Sequence, residues 1–68
     1  MKDISIQFGI NVMNKRKELK ITQEKMALLA DIDRSYMGRI ERGEVNITLI
    51  KAYHLADTLE CNIRELLP

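Results

Sequence analysis

The stretch Ile21–Gly43, ITQEKMALLADIDRSYMGRIERG, carries the periodicity on which the fold turns. Thr22 is placed to cap a helix through its hydroxyl. In that helix Met26, Ala27, Leu29 and Ala30 make the apolar side, and the pattern stops near Ala30. Asp31-Ile32-Asp33 has the composition of a tight turn, and Asp33 is suited to cap the next helix, Arg34 to Arg42. Tyr36, Met37 and Ile40 give this second segment an apolar face, leaving Arg34, Ser35 and Arg39 on its other sides. Gly43 follows the last periodic residue, where a left-handed backbone commonly ends a helix.

Outward from this core the same periodicity continues. Ile4, Phe8 and Val12, then Leu19, recur at helical spacing with Lys15 to Lys17 turned outward, which predicts a first helix from about Ser5 to Glu18. Glu44 to Ile47 is a loop, after which Thr48 caps a fourth helix carrying Leu49, Ala52, Leu55, Ala56 and Leu59. Asn62 with Glu65 resembles a capping box for a short last helix, Ile63 to Leu67. The pattern predicts a compact, all-α, five-helix domain spanning residues 1–68, without repeats, low-complexity tracts or linkers.

With 68 residues the chain has room for one core, and so small a domain gains from oligomerisation. Cys61 is the single cysteine, which excludes an intramolecular disulfide and fits a reducing, cytoplasmic setting. The apolar stretch Ile4 to Met13 is interrupted by Ser5, Gln7 and Asn11, unlike a signal peptide or membrane span. Net charge is +1, so the distribution matters more than the total. Lys15, Arg16, Lys17 and Lys20 cluster, Arg34, Arg39, Arg42 and Lys51 recur through the middle, and Asp57, Glu60 and Glu65 outweigh Arg64 near the end. Aromatics make up 4%, which argues against single-strand or RNA binding on stacking platforms. His54 and Cys61, the only residues of their kinds, are too few for a zinc site. His54 is expected at the surface and Cys61 as a buried, inert thiol. No nucleophile–base pair, phosphate-cradling glycine loop or carboxylate dyad is evident. No catalysis, metal, cofactor or small-molecule ligand is therefore expected.

A short helix, a turn of about three residues and a second helix with a polar start make a helix-turn-helix. The second helix of such a unit can lie in the major groove of double-stranded DNA with its first residues at base edges. Ile21-Thr22-Gln23-Glu24-Lys25-Met26-Ala27, then Ile32-Asp33-Arg34-Ser35-Tyr36-Met37, then Ile40-Glu41-Arg42-Gly43, resembles the Xre family of phage-repressor-like (lambda-repressor-like) helix-turn-helix domains. The likeness runs from Phe8-Gly9 to Glu65-Leu66-Leu67. Within the family it is greatest to the controller proteins of restriction–modification systems, which share the Asn46-Ile47-Thr48-Leu49 stretch.

The resemblance implies roles for named residues. Arg34, Ser35 and Arg39 occupy positions like the family's base-reading ones; the alternative is that both arginines touch only phosphates. Gln23 matches a glutamine that bonds a backbone phosphate at a helix start, and Arg42, Asn46, Thr48 and Lys51 would extend those contacts. Tyr36 reads both ways, its ring packing on the second helix while its hydroxyl reaches a phosphate. Arg16 and Glu41 look like paired charges joining the first helix to the end of the third, against an alternative in which Arg16 contacts DNA. Tyr53, Ile63, Leu66 and Leu67, within a C-terminal part of about residues 49–67, are expected to form a homodimer interface. The implied function is a transcription regulator on a palindromic operator, most specifically a controller of restriction–modification genes. Alternatives are a phage-repressor-like switch, an antitoxin-type autorepressor, or an interaction module without DNA binding. The sequence departs from the family where turns that often hold glycine carry Lys20, Asp31 and Glu60, predicting backbone strain. Gly38 stands inside the reading helix, open either to DNA or to the second helix.

Overall fold

Side-chain oxygens decide where most of the helices begin. The computed structural model describes residues 2–68, with side chains from Ile4 onward. It contains α1 (Lys2–Glu18), α2 (Gln23–Ala30), α3 (Arg34–Glu41), α4 (Leu49–Thr58) and a closing 3₁₀ turn, Ile63–Glu65. Thr22 Oγ1 accepts the Lys25 N–H at 3.0 Å, and Thr48 Oγ1 accepts that of Lys51 at 3.1 Å. Asp33 Oδ2 accepts from the N–H groups of Ser35 and Tyr36 at 3.0 and 3.3 Å. Asn62 and Glu65 form a reciprocal capping box around the closing turn. Each such cap satisfies a donor the helix cannot, a contribution of about 0.5–2 kcal/mol.

The helix ends share one geometry. Lys20, Asp31, Gly43 and Glu60 all adopt left-handed backbone, with φ of 59°, 57°, 75° and 54°. After each, the next N–H reaches back five residues: Ile21 to Arg16 O, Ile32 to Ala27 O, Glu44 to Arg39 O and Cys61 to Ala56 O. This is the Schellman closure, in which an apolar residue after the left-handed one commonly packs against the helix it ends. Ile21, Ile32 and Cys61 do pack against the core, whereas Glu44 is exposed. Cys61 is thus half-buried, short of the fully buried thiol expected, and desolvation pushes its thiol above the usual range.

Between these ends α1 packs on α3, α3 on α2, α2 on α4, and α4 on the closing turn. Phe8 and Val12, Met26 and Ala30, Met37 and Ile40, and Leu55 and Leu59 meet in one core. Gly9 lets α1 approach the end of α3, since a Cβ there would stand 2.4 Å from the Ile40 carbonyl oxygen.

Four expectations need correction. The predicted fifth helix, Ile63 to Leu67, is a single 3₁₀ turn, so the domain has four α-helices and a turn. Asn11 Nδ2 donates to the carbonyls of Leu66 and Leu67 at 2.9 and 3.3 Å, and Lys15 Nζ lies 2.7 Å from Glu65 Oε1. These tertiary contacts pin the segment to α1 before a full helical turn can form. Leu66, expected at a homodimer interface, is fully buried in its own chain and offers no surface. Leu29, expected on the buried side of its helix, is 52% exposed, and Leu49, one of the apolar residues of the fourth helix, is 70% exposed. Helix α1 also starts earlier than expected, at Lys2.

The left-handed residues without glycine yield a stability prediction. Lys20→Gly and Glu60→Gly should each raise stability by about 0.5–1 kcal/mol, the relief of Cβ strain minus the entropy that glycine adds to the unfolded chain. Gly43→Ala should act oppositely, because its Cβ would lie 2.6 Å from Ile6 Cα as well as at positive φ. Urea midpoints check both signs; destabilisation by both glycine variants would show that these turns carry no strain.

Candidate nucleic-acid interface

Asp33 places the start of α3 by accepting two backbone N–H groups, and it also accepts the Ser35 hydroxyl proton. Ser35 therefore presents lone pairs outward and suits a donor such as a base amino group. The capping bonds hold the Asp33 carboxyl below the usual carboxylate range, the Ser35 hydroxyl contributing most. Arg34, Ser35 and Arg39 are all exposed. Among the described residues neither Arg34, Arg39 nor Lys51 takes part in an ion pair.

Gln23, Asp33, Arg34, Ser35, Gly38 and Arg42 line an open recess of about 400 Å³ between the start of α2 and α3. At Gly38 a Cβ would sit 3.0 Å from Arg42 Nη1 and 3.4 Å from Gln23 Oε1. The missing side chain makes room for the Arg42 guanidinium and the Gln23 amide. The α2 N-terminus adds unpaired N–H groups and the positive end of its dipole to the same edge.

Gln23 is also tied inward, donating from Nε2 to Glu41 Oε1 at 3.1 Å. The Glu41 carboxylate takes two further bonds from Arg16, Nε to Oε2 at 2.7 Å and Nη2 to Oε1 at 3.1 Å. Arg16 Nη1 donates to the Ile21 carbonyl at 2.9 Å. With its side chain 11% exposed, Arg16 is turned into the protein.

Past Gly43 the cations are arranged differently. Arg42 donates from Nε to Glu44 Oε2 at 2.9 Å and from Nη2 to Glu44 Oε1 at 3.4 Å. The Glu44 carboxyl is held below its ordinary range, first by the bond from Arg42, with the Arg39 charge adding to it. Sequence reasoning passed over Glu44; the glycine closing α3 was the available signal that the chain would turn back there. Thr48 accepts its capping bond and keeps its own O–H to donate. Asn46 is exposed, and Lys51 Nζ lies 6.0 Å from the Tyr36 ring centroid, within cation–π range. Tyr36 packs its ring against the core.

Away from this face, Leu49, Ile50, Tyr53 and Leu67 are 70%, 84%, 55% and 46% exposed, while Ile63 is half-buried. Leu49, Ile50 and Tyr53 share a face of α4 by their spacing. His54 is exposed, its Nε2 2.7 Å from the Ala30 carbonyl oxygen. Among the described residues no helix is long and apolar enough to cross a membrane, and no cluster of three metal-ligating side chains forms.

Comparison with known proteins places this geometry in context. Residues 12–66 match the helix-turn-helix family model HTH_3. The chain is 36% identical over 67 residues to control protein C.MunI of a Mycoplasma species, covering 97% of this chain and 90% of that protein. It is 34% identical over 65 residues to control protein C.SmaI of Serratia marcescens, covering 96% and 77%. The crystal structure of the restriction–modification controller protein C.AhdI from Aeromonas hydrophila superposes with a TM-score of 0.86 at 37% identity, covering 91% of this chain and 94% of that one.

The buried charges give the second prediction. Arg16→Met leaves the Glu41 carboxylate buried without its cation and should cost about 3–5 kcal/mol, most of the stability of a domain this small. Arg16→Met combined with Glu41→Leu should recover much of that loss, because the uncompensated charge is gone. Thermal unfolding of the two variants decides the matter: additive losses would mean the pair acts only through packing.

Proposed function

The chain belongs to the HTH_3 helix-turn-helix family, and from that premise we propose that it is a sequence-specific transcription regulator binding a palindromic operator as a homodimer. The observation that carries this reading is the exposed, unpaired pair Arg34 and Arg39 on a helix whose capped start also presents Ser35. An arginine fork bonds two acceptors of guanine at once, and an α-helix, about 10–12 Å across with its side chains, fits a major groove about 12 Å wide. Arg34, Ser35 and Arg39 read bases. Gln23, Tyr36, Arg42, Asn46, Thr48 and Lys51 hold phosphates, which fixes register without reading sequence. The relatives named as control and restriction–modification controller proteins support the specific role of timing a restriction–modification system, in the cytoplasm.

The second copy docks through the C-terminal part, about residues 49–67. Leu49, Ile50, Tyr53 and Leu67 expose apolar surface that a second copy would cover, with Ile63 at the margin. Two-fold pairing there sets the recognition helices about 34–36 Å apart, the spacing of palindromic half-sites.

Selection of bound sites from a random-sequence duplex pool is the direct test, and it should return a two-fold motif; absence of any enriched motif would sink the reading. Arg34→Ala and Arg39→Ala should each cost about 1–3 kcal/mol on the selected site and relax preference at one base pair. Lys51→Ala should weaken cognate and random duplexes alike and lower the salt slope by about one. Unchanged selectivity in both arginine variants would remove α3 as the reader.

The assembly is tested separately by sedimentation. Ile50→Asp, Tyr53→Asp and Leu67→Asp should give folded monomers with much weaker operator binding. Undiminished dimer in all three would move the interface elsewhere.

A further inference from the structure

The Arg42–Glu44 pair is built from neighbours that would not normally meet. Residues two apart on a helix point to different sides. Here Gly43, at φ 75°, reverses the chain, and the Glu44 N–H anchors to the Arg39 carbonyl at 2.9 Å. The Glu44 carboxylate comes to rest against the Arg42 fork with the Arg39 charge close by. At the three other helix ends the corresponding residue is Ile21, Ile32 or Cys61, and each packs on the core. Only after α3, beside the recess, is that position a carboxylate facing the cations of the interface. Gly38 completes the arrangement, since a Cβ there would stand 3.0 Å from Arg42 Nη1 and crowd the guanidinium.

We propose that Glu44 is an affinity-setting residue: its carboxylate occupies the Arg42 fork in the free protein and competes there with a DNA phosphate. The inference rests on the DNA-binding reading above. Carboxylate and phosphate present the same paired oxygens to a guanidinium, so one replaces the other on the same donors. The two side chains are 59% and 50% exposed, which leaves the pair open to exchange. An exposed pair of this kind is weak, so the competition is worth only a few-fold in binding. Its clearer mark is on salt dependence. A free arginine that neutralises a phosphate releases DNA counterion, whereas Arg42 arrives already neutralised, and exchange leaves the Glu44 charge beside the phosphate, so the local net charge hardly changes. Arg42 therefore adds almost nothing to the salt slope while Glu44 is charged.

The test is a fluorescence-anisotropy titration of the full chain with the selected duplex and a random-sequence duplex across salt. Glu44→Gln should tighten both complexes about three- to fivefold at low salt and steepen the slope by about 0.9. In an Arg42→Ala background the same change should gain nothing. A gain that persists without Arg42 would mean diffuse charge repulsion and overturn the competition, as would an unaltered slope. Weaker binding confined to the selected duplex would overturn it differently, making Glu44 itself a base contact. Failure of the wild-type chain to bind either duplex would bring down the DNA-binding reading together with this inference. Normal wild-type binding with a slope that Glu44→Gln leaves unchanged would remove the role of Glu44 alone.

Discussion

The Glu41 carboxylate belongs to the last turn of α3, yet it accepts hydrogen bonds from Arg16 on α1 and Gln23 at the start of α2. Arg16 in turn bonds the Ile21 carbonyl in the turn between α1 and α2. One buried anion thus ties α1, α2 and α3 together, and with them the angle between the two helices of the helix-turn-helix. Taking a carboxylate and a guanidinium out of water is unfavourable unless every donor and acceptor finds a partner. Among the described residues no buried side-chain nitrogen or oxygen lacks one. The network favours a particular orientation of α2 against α3, because apolar packing tolerates small rotations that paired hydrogen bonds do not. The recess lined by Gln23, Gly38 and Arg42 lies on the outer side of that junction, so its shape follows from the same lock.

How far the fold was legible in the sequence depended on whether its signals were local. Thr22, Asp33, Thr48 and Asn62 cap through bonds to residues two or three positions on, and each stands where its chemistry suggested. The left-handed turns at Lys20, Asp31 and Glu60 were legible only through the family resemblance, which marks them as positions that often hold glycine. What escaped was decided at long range. The closing turn is held by Asn11, 55 residues from Leu66, and no pattern within Ile63 to Leu67 reveals that. Short helices also leave their buried arc ambiguous. In α2 the side containing Met26, Ala27 and Ala30 meets the core, while Leu29 one residue away does not. At the candidate site the exposed Arg34 and Arg39 follow from the face opposite Met37 and Ile40. The Arg42–Glu44 pair was invisible because helical spacing forbids it until Gly43 breaks the helix.

The charge distribution then acquires a physical meaning that a net charge of +1 conceals. Lys15 and Arg16, which look basic in the sequence, are engaged with Glu65, Glu18 and Glu41 and serve the scaffold. The Lys15 ammonium and the Asn62 N–H, in that order, hold the Glu65 carboxyl below its ordinary range, which helps keep the closing turn on α1. Among the described residues Arg34, Arg39 and Lys51 have no ion-pair partner, on the face where α3 begins and α4 starts. Near-neutrality overall with unpaired cations on one face is how a small protein concentrates positive potential without general self-repulsion.

On the proposed reading, the two faces of the domain control one another through concentration. Each protomer contributes one short reading helix, and two arginines supply limited discrimination, so useful specificity requires both half-sites at once. Dimerisation through the exposed apolar side of α4 makes the second half-site effectively intramolecular, multiplying discrimination without new contacts to DNA. The monomer–dimer equilibrium then becomes the variable that sets occupancy, because binding a two-fold site also stabilises the dimer by mass action. A weak generic attraction to phosphate suits such a system: strong attraction by isolated protomers would hold them on bulk DNA before pairing. A carboxylate that masks one arginine and an interface left exposed in the single chain act in the same direction, making occupancy depend on how much protein has accumulated.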